Sequence, residues 1–183
     1  SRVVVMNELA IDILEEIYQV PRAKLLRIQH GVPDFASMKP QLKTKPPEWE
    51  KRKVMLTFGL IGRSKGIETV LRALPEIVKN HPDVLYVVLG KTHPSILRFA
   101  GEEYREFLYK IIKDLNIENH VHFINQYVNE LDLMSYLNAA DIYVTPYLNK
   151  AQITSGTLSY AVASGCAVLS TPYWHAEEML TSE

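Results

Sequence analysis

Val54-Met55-Leu56-Thr57-Phe58-Gly59-Leu60-Ile61-Gly62-Arg63-Ser64-Lys65-Gly66-Ile67 joins an apolar run to an amphipathic one through a turn rich in glycine and positive charge. The first part, Val54-Gly59, reads as a short buried strand. From Ile67 to Val78 the period changes, and Ile67, Val70, Leu71, Leu74 and Ile77 fall on one helical face. Pro75 is expected to kink or break that helix, because it lacks an N–H and crowds the preceding turn. A strand that feeds a helix through a tight glycine turn is one βα unit, and the rest of the chain repeats it.

Further strands are predicted at Val3-Met6, Leu25-Gln29, Leu85-Gly90, Val121-Ile124, Ile142-Pro146 and Ala167-Thr171. Helical patterns lie between them at Glu8-Tyr18, Glu102-Leu115 and Asn129-Asn138. Asn129 suits the N-cap of the last of these, with Asp132 in its first turn. The alternation predicts an α/β, Rossmann-like fold, a parallel sheet with helices on both faces. Residues 1–183 read as a single domain. The polar stretch Pro33-Lys53, with Pro40, Pro46 and Pro47, is long for a connection inside a domain. It is either a surface excursion or a linker that makes residues 1–34 a hinge-side edge.

The 183 residues are 47% hydrophobic and 22% charged, with a formal net charge of -1. Such a chain can bury a sizeable core without a metal or disulfide staple. Cys166, the single cysteine, sits in the apolar run Cys166-Ala167-Val168-Leu169 and reads as a buried, inert thiol in a reducing, cytoplasmic setting. No basic block tracks a phosphate backbone, so no nucleic-acid partner is expected. The histidines form no ligand-spaced pair, so no metal site is expected either. No apolar run reaches the ~20 residues of a membrane-spanning helix. The start, Ser1-Arg2-Val3, and the helix barely begun at Glu177-Glu178-Met179-Leu180 suggest an excised piece of a longer protein.

Two segments carry candidate chemistry. In Gly59 to Gly66, glycines at a strand end let backbone approach a ligand, and the amides of the next helix favour an anion. Arg63 and Lys65 add positive charge suited to a pyrophosphate. The spacing is neither a Walker A loop nor a dinucleotide fingerprint. The bland alternative is a tight turn with two solvated cations. The second segment is Tyr147-Leu148-Asn149-Lys150-Ala151-Gln152-Ile153-Thr154-Ser155-Gly156-Thr157, in which Ser155, Gly156 and Thr157 form either a second anion or sugar-hydroxyl cradle or a plain helix cap.

The order of these segments resembles the C-terminal, nucleotide-sugar-binding domain of the GT-B retaining glycosyltransferases of family 4, also called group 1. The likeness covers nearly the whole chain. It includes His30-Gly31-Val32-Pro33, Gly59 to Gly66 ending in Lys65-Gly66, Ala139-Ala140-Asp141-Ile142-Tyr143-Val144-Thr145-Pro146, and Ala161-Val162-Ala163-Ser164-Gly165-Cys166-Ala167-Val168-Leu169-Ser170-Thr171.

The resemblance implies a hexosyltransferase that uses a UDP- or GDP-linked sugar as substrate, needs no further cofactor and retains anomeric configuration. The acceptor would be held by an N-terminal domain missing from this chain, and that half would also carry any membrane-associating patch. Arg63 and Lys65 would hold the donor diphosphate and stabilise the leaving group. The family's arginine often stands nearer Leu60, so Lys65 transfers more securely. Tyr127, in Ile124-Asn125-Gln126-Tyr127-Val128, would lie near the nucleobase. Gly62, Gly90, Lys91, Thr92, Thr154, Ser155, Gly156 and Thr157 would complete the donor site. Gly90-Lys91-Thr92-His93-Pro94 and Gly101-Glu102-Glu103-Tyr104-Arg105 resemble a subgroup of these enzymes, with His93 either touching phosphate or capping the following turn.

The chain departs from the family at one place. Members carry two glutamates, one near the transferred sugar and one on the ribose, at positions held here by Gln152 and Tyr160. An amide and a phenol can still hydrogen-bond sugar hydroxyls, but without a carboxylate's charge-assisted strength. Transfer would then depend on phosphate stabilisation and positioning. The alternative is a non-catalytic nucleotide- or sugar-phosphate-binding module. Among the remaining residues, His30 sits at a strand end towards the cleft, and His175 either lines the cleft or belongs to aromatic packing beneath the last helix. Glu178 either resembles a glutamate that opens the last helix of these domains or takes a capping-type role.

Overall fold

The computed structural model describes residues 1–38 and 43–180. All seven predicted strands form: β1 (Val3–Val5), β2 (Leu25–Arg27), β3 (Lys53–Phe58), β4 (Val84–Leu89), β5 (Val121–Ile124), β6 (Ile142–Thr145) and β7 (Ala167–Ser170). The helices are α1 (Glu8–Glu16), α2 (Phe35–Met38), α3 (Ile67–Asn80), α4 (Pro94–Ala100), α5 (Glu103–Asp114), α6 (Glu130–Ala139), α7 (Gly156–Ala163) and α8 (Trp174–Leu180). Strands β3 to β7 make one parallel sheet in the order β5-β4-β3-β6-β7. β1 and β2 pair only with each other among the described residues, as a separate parallel sheet.

Strict alternation along the central strands builds two cores. Met55, Val84, Tyr86 and Val88 face α3 and α5, where they meet Leu71, Leu74, Leu108 and Ile112. Val54, Leu56, Phe58, Leu85, Val87 and Leu89 face the other way, onto Leu137 and Ala161. β4 is buried along its whole length, as a strand covered by helices on both faces must be. Helix α3 runs unbroken through Pro75, so the expected kink does not interrupt it. The strong apolar face of α3 on the sheet outweighs the one hydrogen bond that the proline removes.

The stretch between Pro33 and Lys53 is more anchored than a polar excursion. Trp49 is buried in the second core, with its ring against Tyr136 (5.6 Å between centroids) and His122 (6.2 Å). Pro40 falls in residues 39–42, outside the described residues. The β1–β2 unit is tied to the other end of the chain by Glu178. Its carboxylate accepts the Glu8 N–H at 3.0 and 3.1 Å and pairs with Arg27 at 3.2 Å. Glu178 thus caps α1 across space, from within α8, rather than opening its own helix.

The chain leaves the central strand β3 for β4 and β5 on one side, then returns to place β6 and β7 on the other. Such a reversal of strand order opens a crevice at the carboxyl ends of the strands. Here β3 and β6 pair at Met55–Ile142 and Leu56–Tyr143. Beyond those pairs the Thr57 hydroxyl donates to the Val144 carbonyl at 2.5 Å, and it accepts from Tyr86 Oη at 2.9 Å.

The loops that follow β3 and β6 then close on each other. Gly66 adopts φ 62°, and a Cβ there would lie 2.1 Å from the Pro146 carbonyl oxygen. Leu148 N–H donates to Ser64 O at 3.0 Å in the same contact. Replacing Gly66 with Ala should therefore cost roughly 3 kcal/mol in urea unfolding, from left-handed strain plus the clash. A loss below about 1 kcal/mol would show that the two loops can separate cheaply.

Candidate functional site

Two adjoining cavities lie at the carboxyl ends of β3, β4 and β6. The first, of about 160 Å³, is lined by Ser64, Lys65, Tyr147, Gln152, Thr154, Ser155, Gly156 and Thr157. Its floor is the start of α7. Ser155 is the N-cap, and its Oγ accepts from Leu158 N–H at 3.3 Å. Gly156 and Thr157 are the first residues of the helix, where amides have no intrahelical acceptor. Lys65 reaches in from the other loop, and a Cβ built on Gly59 would stand 3.5 Å from its Nζ and 3.2 Å from Thr157 Cγ2. The lining holds one cation, five hydroxyls and no carboxylate. With the positive end of a helix dipole beneath it, such a cavity favours an anion.

Lys65 is held in place by Tyr147. Its ammonium donates a short hydrogen bond to Tyr147 Oη and sits 4.1 Å from the ring centroid. Tyr147 stacks on Tyr173 with centroids 5.0 Å apart, and its hydroxyl lies 2.8 Å from Thr157 Oγ1. Burial pushes the Tyr147 phenol up. The charge and hydrogen bond of Lys65, with the neighbouring hydroxyls of Thr157 and Ser155, outweigh burial and hold it below its ordinary value.

The second cavity, of about 190 Å³, is lined by Phe58, Gly59, Leu60, Leu89, Gly90, Lys91, Gln126, Tyr127, Val128 and Leu133. Gly59 borders it and also abuts Lys65 and Thr157 of the first, so the two cavities adjoin at this glycine. This slot is mostly apolar, with Tyr127 standing 83% exposed at its mouth. It suits a flat ring, whereas the first cavity suits an anion.

The structure thus brings Lys65, Gln152, Thr154, Ser155, Gly156 and Thr157 together, and Gly90, Lys91 and Tyr127 beside them. It does not bring Arg63. The turn Arg63–Lys65 is a 3-10 helix, in which residues two apart point to different sides. Arg63 accordingly faces α5, pairs with Glu103 at 3.0 Å and lies 5.5 Å over the rings of Tyr104 and Phe107. Gly62 also faces away, since a Cβ there would meet Ile96 of α4 at 2.6 Å.

Thr92 is buried under its loop rather than offered to a ligand. Its hydroxyl donates to Glu102 and accepts from Arg105, which also holds the Gly90 carbonyl at 3.0 Å. His93 caps α4, accepting from Ser95 N–H at 3.2 Å. Tyr160 stands one helical turn beyond Gly156, outside both cavity linings, and its hydroxyl donates to Glu130 Oε1 at 2.9 Å.

Tyr147, which sequence patterns do not single out, shapes this site, and His175, expected near the cleft, braces it. His175 is buried, and its Nδ1 accepts the Ser155 N–H at 2.9 Å. Its own N–H binds Gln152 O at 3.1 Å, so one residue pins both ends of the loop 152–155. His30 presses on the same helix start, with Nε2 2.8 Å from where a Cβ of Gly156 would be. Burial, with a smaller push from His30, holds the His175 imidazole below its ordinary value, against the pull of Glu178.

A histidine kept neutral in the fold takes up its proton on unfolding. Stability therefore declines as pH falls below the unfolded value near 6.5, towards the depressed folded value. Urea unfolding at pH 7.5 and 5.5 should show this decline, and His175→Asn, whose amide oxygen can replace Nδ1 as acceptor, should lose that part of it. An unchanged pH dependence in the variant would contradict the assignment.

An α/β domain with a strand-order reversal, an anion cradle and an adjoining slot for a ring has the build of a nucleotide-binding domain. The chain belongs to a family described as Glycosyl transferases group 1, whose profile matches residues 38–183. Spore coat protein SA of Bacillus subtilis (strain 168) is 30% identical over 95 residues, covering 51% of this chain and 23% of that protein. Anabaena Alr3699/HepE, solved in complex with UDP and glucose, superposes with a TM-score of 0.73 at 18% identity, over 100% of this chain and 47% of that one. A glycosyltransferase from Rickettsia africae ESF-5 gives 0.72 at 19% identity, with the same coverage. The chain spans less than half the length of each of these relatives. Among the described residues, no helix is long and apolar enough to cross a membrane.

Proposed function

We propose that this chain is the donor-binding half of a retaining hexosyltransferase of GT-B architecture, acting in the cytoplasm on a UDP- or GDP-linked sugar. The observation that carries the reading is the adjacency of the two cavities at Gly59. A nucleoside diphosphate laid across them puts its base in the slot beside Tyr127 and its diphosphate between Lys65 and the first amides of α7. The sugar then extends towards Gln152 and Thr154. HepE, which shares the fold, was solved with UDP and glucose, in keeping with this placement.

In this reading the bond from the anomeric carbon to the diphosphate oxygen breaks, its electron pair stays on that oxygen, and the carbon bonds an acceptor hydroxyl oxygen whose proton passes to the leaving phosphate. Lys65 and the α7 amides meet the charge as it develops, so they bind the transition state more tightly than the ground state. Gln152, fixed by a bond from its Nε2 to Thr154 O, is placed to orient sugar hydroxyls. Tyr160 carries no charge, but Glu130 supplies a carboxylate at its hydroxyl.

The acceptor would be bound by a further, N-terminal domain. The β1–β2 sheet supports this, because parallel sheets are ordinarily covered on both faces and two strands alone are barely stable. Val3, Val4, Met6, Leu26 and Ile28 are nonetheless exposed. A second reading, a binding module without turnover, is favoured by the uncharged Gln152 and Tyr160.

Titration calorimetry separates the possibilities. UDP or GDP should bind the chain. Lys65→Met should weaken UDP binding about 10- to 100-fold, the loss of one charged hydrogen bond to phosphate, and leave uridine unaffected. No binding of UDP, GDP or ADP at millimolar concentration would reject both readings. In the full-length protein, binding with no turnover on any donor would favour the module.

A further inference from the structure

Lysine has a long, mobile side chain, and fixing it costs up to about 2 kcal/mol of rotamer freedom. Lys65 nevertheless has one defined partner before any ligand arrives. Tyr147 offers it a hydroxyl acceptor and a ring face at 4.1 Å. Tyr147 is itself fixed, 7% exposed and stacked on the fully buried Tyr173 at 5.0 Å.

We propose that Tyr147 is a positioning residue, which holds the Lys65 ammonium over the start of α7 and, through Thr157, turns a second donor towards a bound diphosphate. The proposal rests on the donor-binding reading above. An ammonium can only donate, so the Tyr147 oxygen accepts from Lys65 and its own proton is left for Thr157 Oγ1 at 2.8 Å. Thr157 then keeps its hydroxyl proton for Ser155 Oγ, at 3.1 Å, or for an anion in the cavity. The hydroxyl chain therefore runs from the cation on the loop after β3, through Tyr147 on the loop after β6, towards the start of α7.

The arrangement has a pH signature. The groups facing the Tyr147 phenol are Lys65, Tyr143 and Tyr173, with the neutral hydroxyls of Thr157 and Ser155. Of these only Lys65 is charged at neutral pH. Once Tyr147 loses its proton, a phenolate pairs with Lys65 and competes with phosphate for it. The phenol titrates below its ordinary value of 10.0, so the affinity of the native protein for a diphosphate should fall as pH rises towards that value.

Tyr147→Phe keeps the ring, its stacking and the cation–π contact, and removes only the hydroxyl. Calorimetry with UDP and with uridine, from neutral to alkaline pH, tests the role. UDP binding at neutral pH should weaken about 10-fold, the low end of a hydrogen bond to a charged group, with uridine binding unchanged. The alkaline loss of UDP affinity should shift to higher pH in the variant. Combined with Lys65→Met, Tyr147→Phe should lose clearly less than the sum of the two single losses, since part of its effect acts through Lys65.

Unchanged UDP affinity and pH profile in Tyr147→Phe, an equal loss on uridine, or losses that simply add to those of Lys65→Met would overturn the proposal. Failure of the native protein to bind UDP at any pH would remove the donor-binding reading itself. The two failures are therefore distinguishable.

Discussion

The contact between the Gly66 backbone and the Pro146 carbonyl is the constraint on which the rest of the site depends. β3 and β6 are neighbours only because the strand order reverses between them. Their loops would splay into solvent unless backbone met backbone, and only a residue without a Cβ permits that approach. Once the loops meet, Lys65 from one lies against Tyr147 from the other, over the start of α7. The anion cradle follows from topology and one glycine, before any ligand-specific side chain is considered.

Around that contact the site is braced by buried polar groups rather than by apolar packing alone. Arg105 holds the Gly90 loop from beneath, His175 holds the 152–155 loop from behind, and Thr57 bridges the parting strands. Each of these groups is buried and hydrogen-bonded, as desolvated polar side chains need to be. Breaking any of them would leave a carbonyl, amide or charge without its partner. The cleft is thereby pre-shaped, which lowers the ordering cost of binding.

Much of the fold was legible in the sequence, because it depends on local periodicity. The apolar runs from Val54 and Val84 and the face of α3 could be read directly, and all seven strands appear where the pattern puts them. Lys65 and Ser155 to Thr157 were legible too, since a glycine turn and a Ser/Thr cap announce the ends of a strand and the start of a helix. Arg63 was not, because sequence proximity to Lys65 says nothing about the turn of a 3-10 helix that separates them. Thr92 looked available but belongs to a network closed by Arg105, thirteen residues away. Tyr147, His175 and Glu130 act through partners distant in sequence, and no local pattern marks such pairs. Trp49 gave a faint signal, a lone large aromatic in a polar stretch.

The central claim is that an anion-bearing nucleotide lies across both cavities, with its phosphates at the start of α7. An amide-resolved NMR titration with UDP tests it most directly. The account predicts the largest shifts at Gly59, Lys65, Gly156 and Thr157, joined by Tyr127 and Val128, with uridine moving only the latter pair. Shifts centred instead on Arg63, Ile96 and Phe99, or none near α7 at saturating UDP, would contradict it.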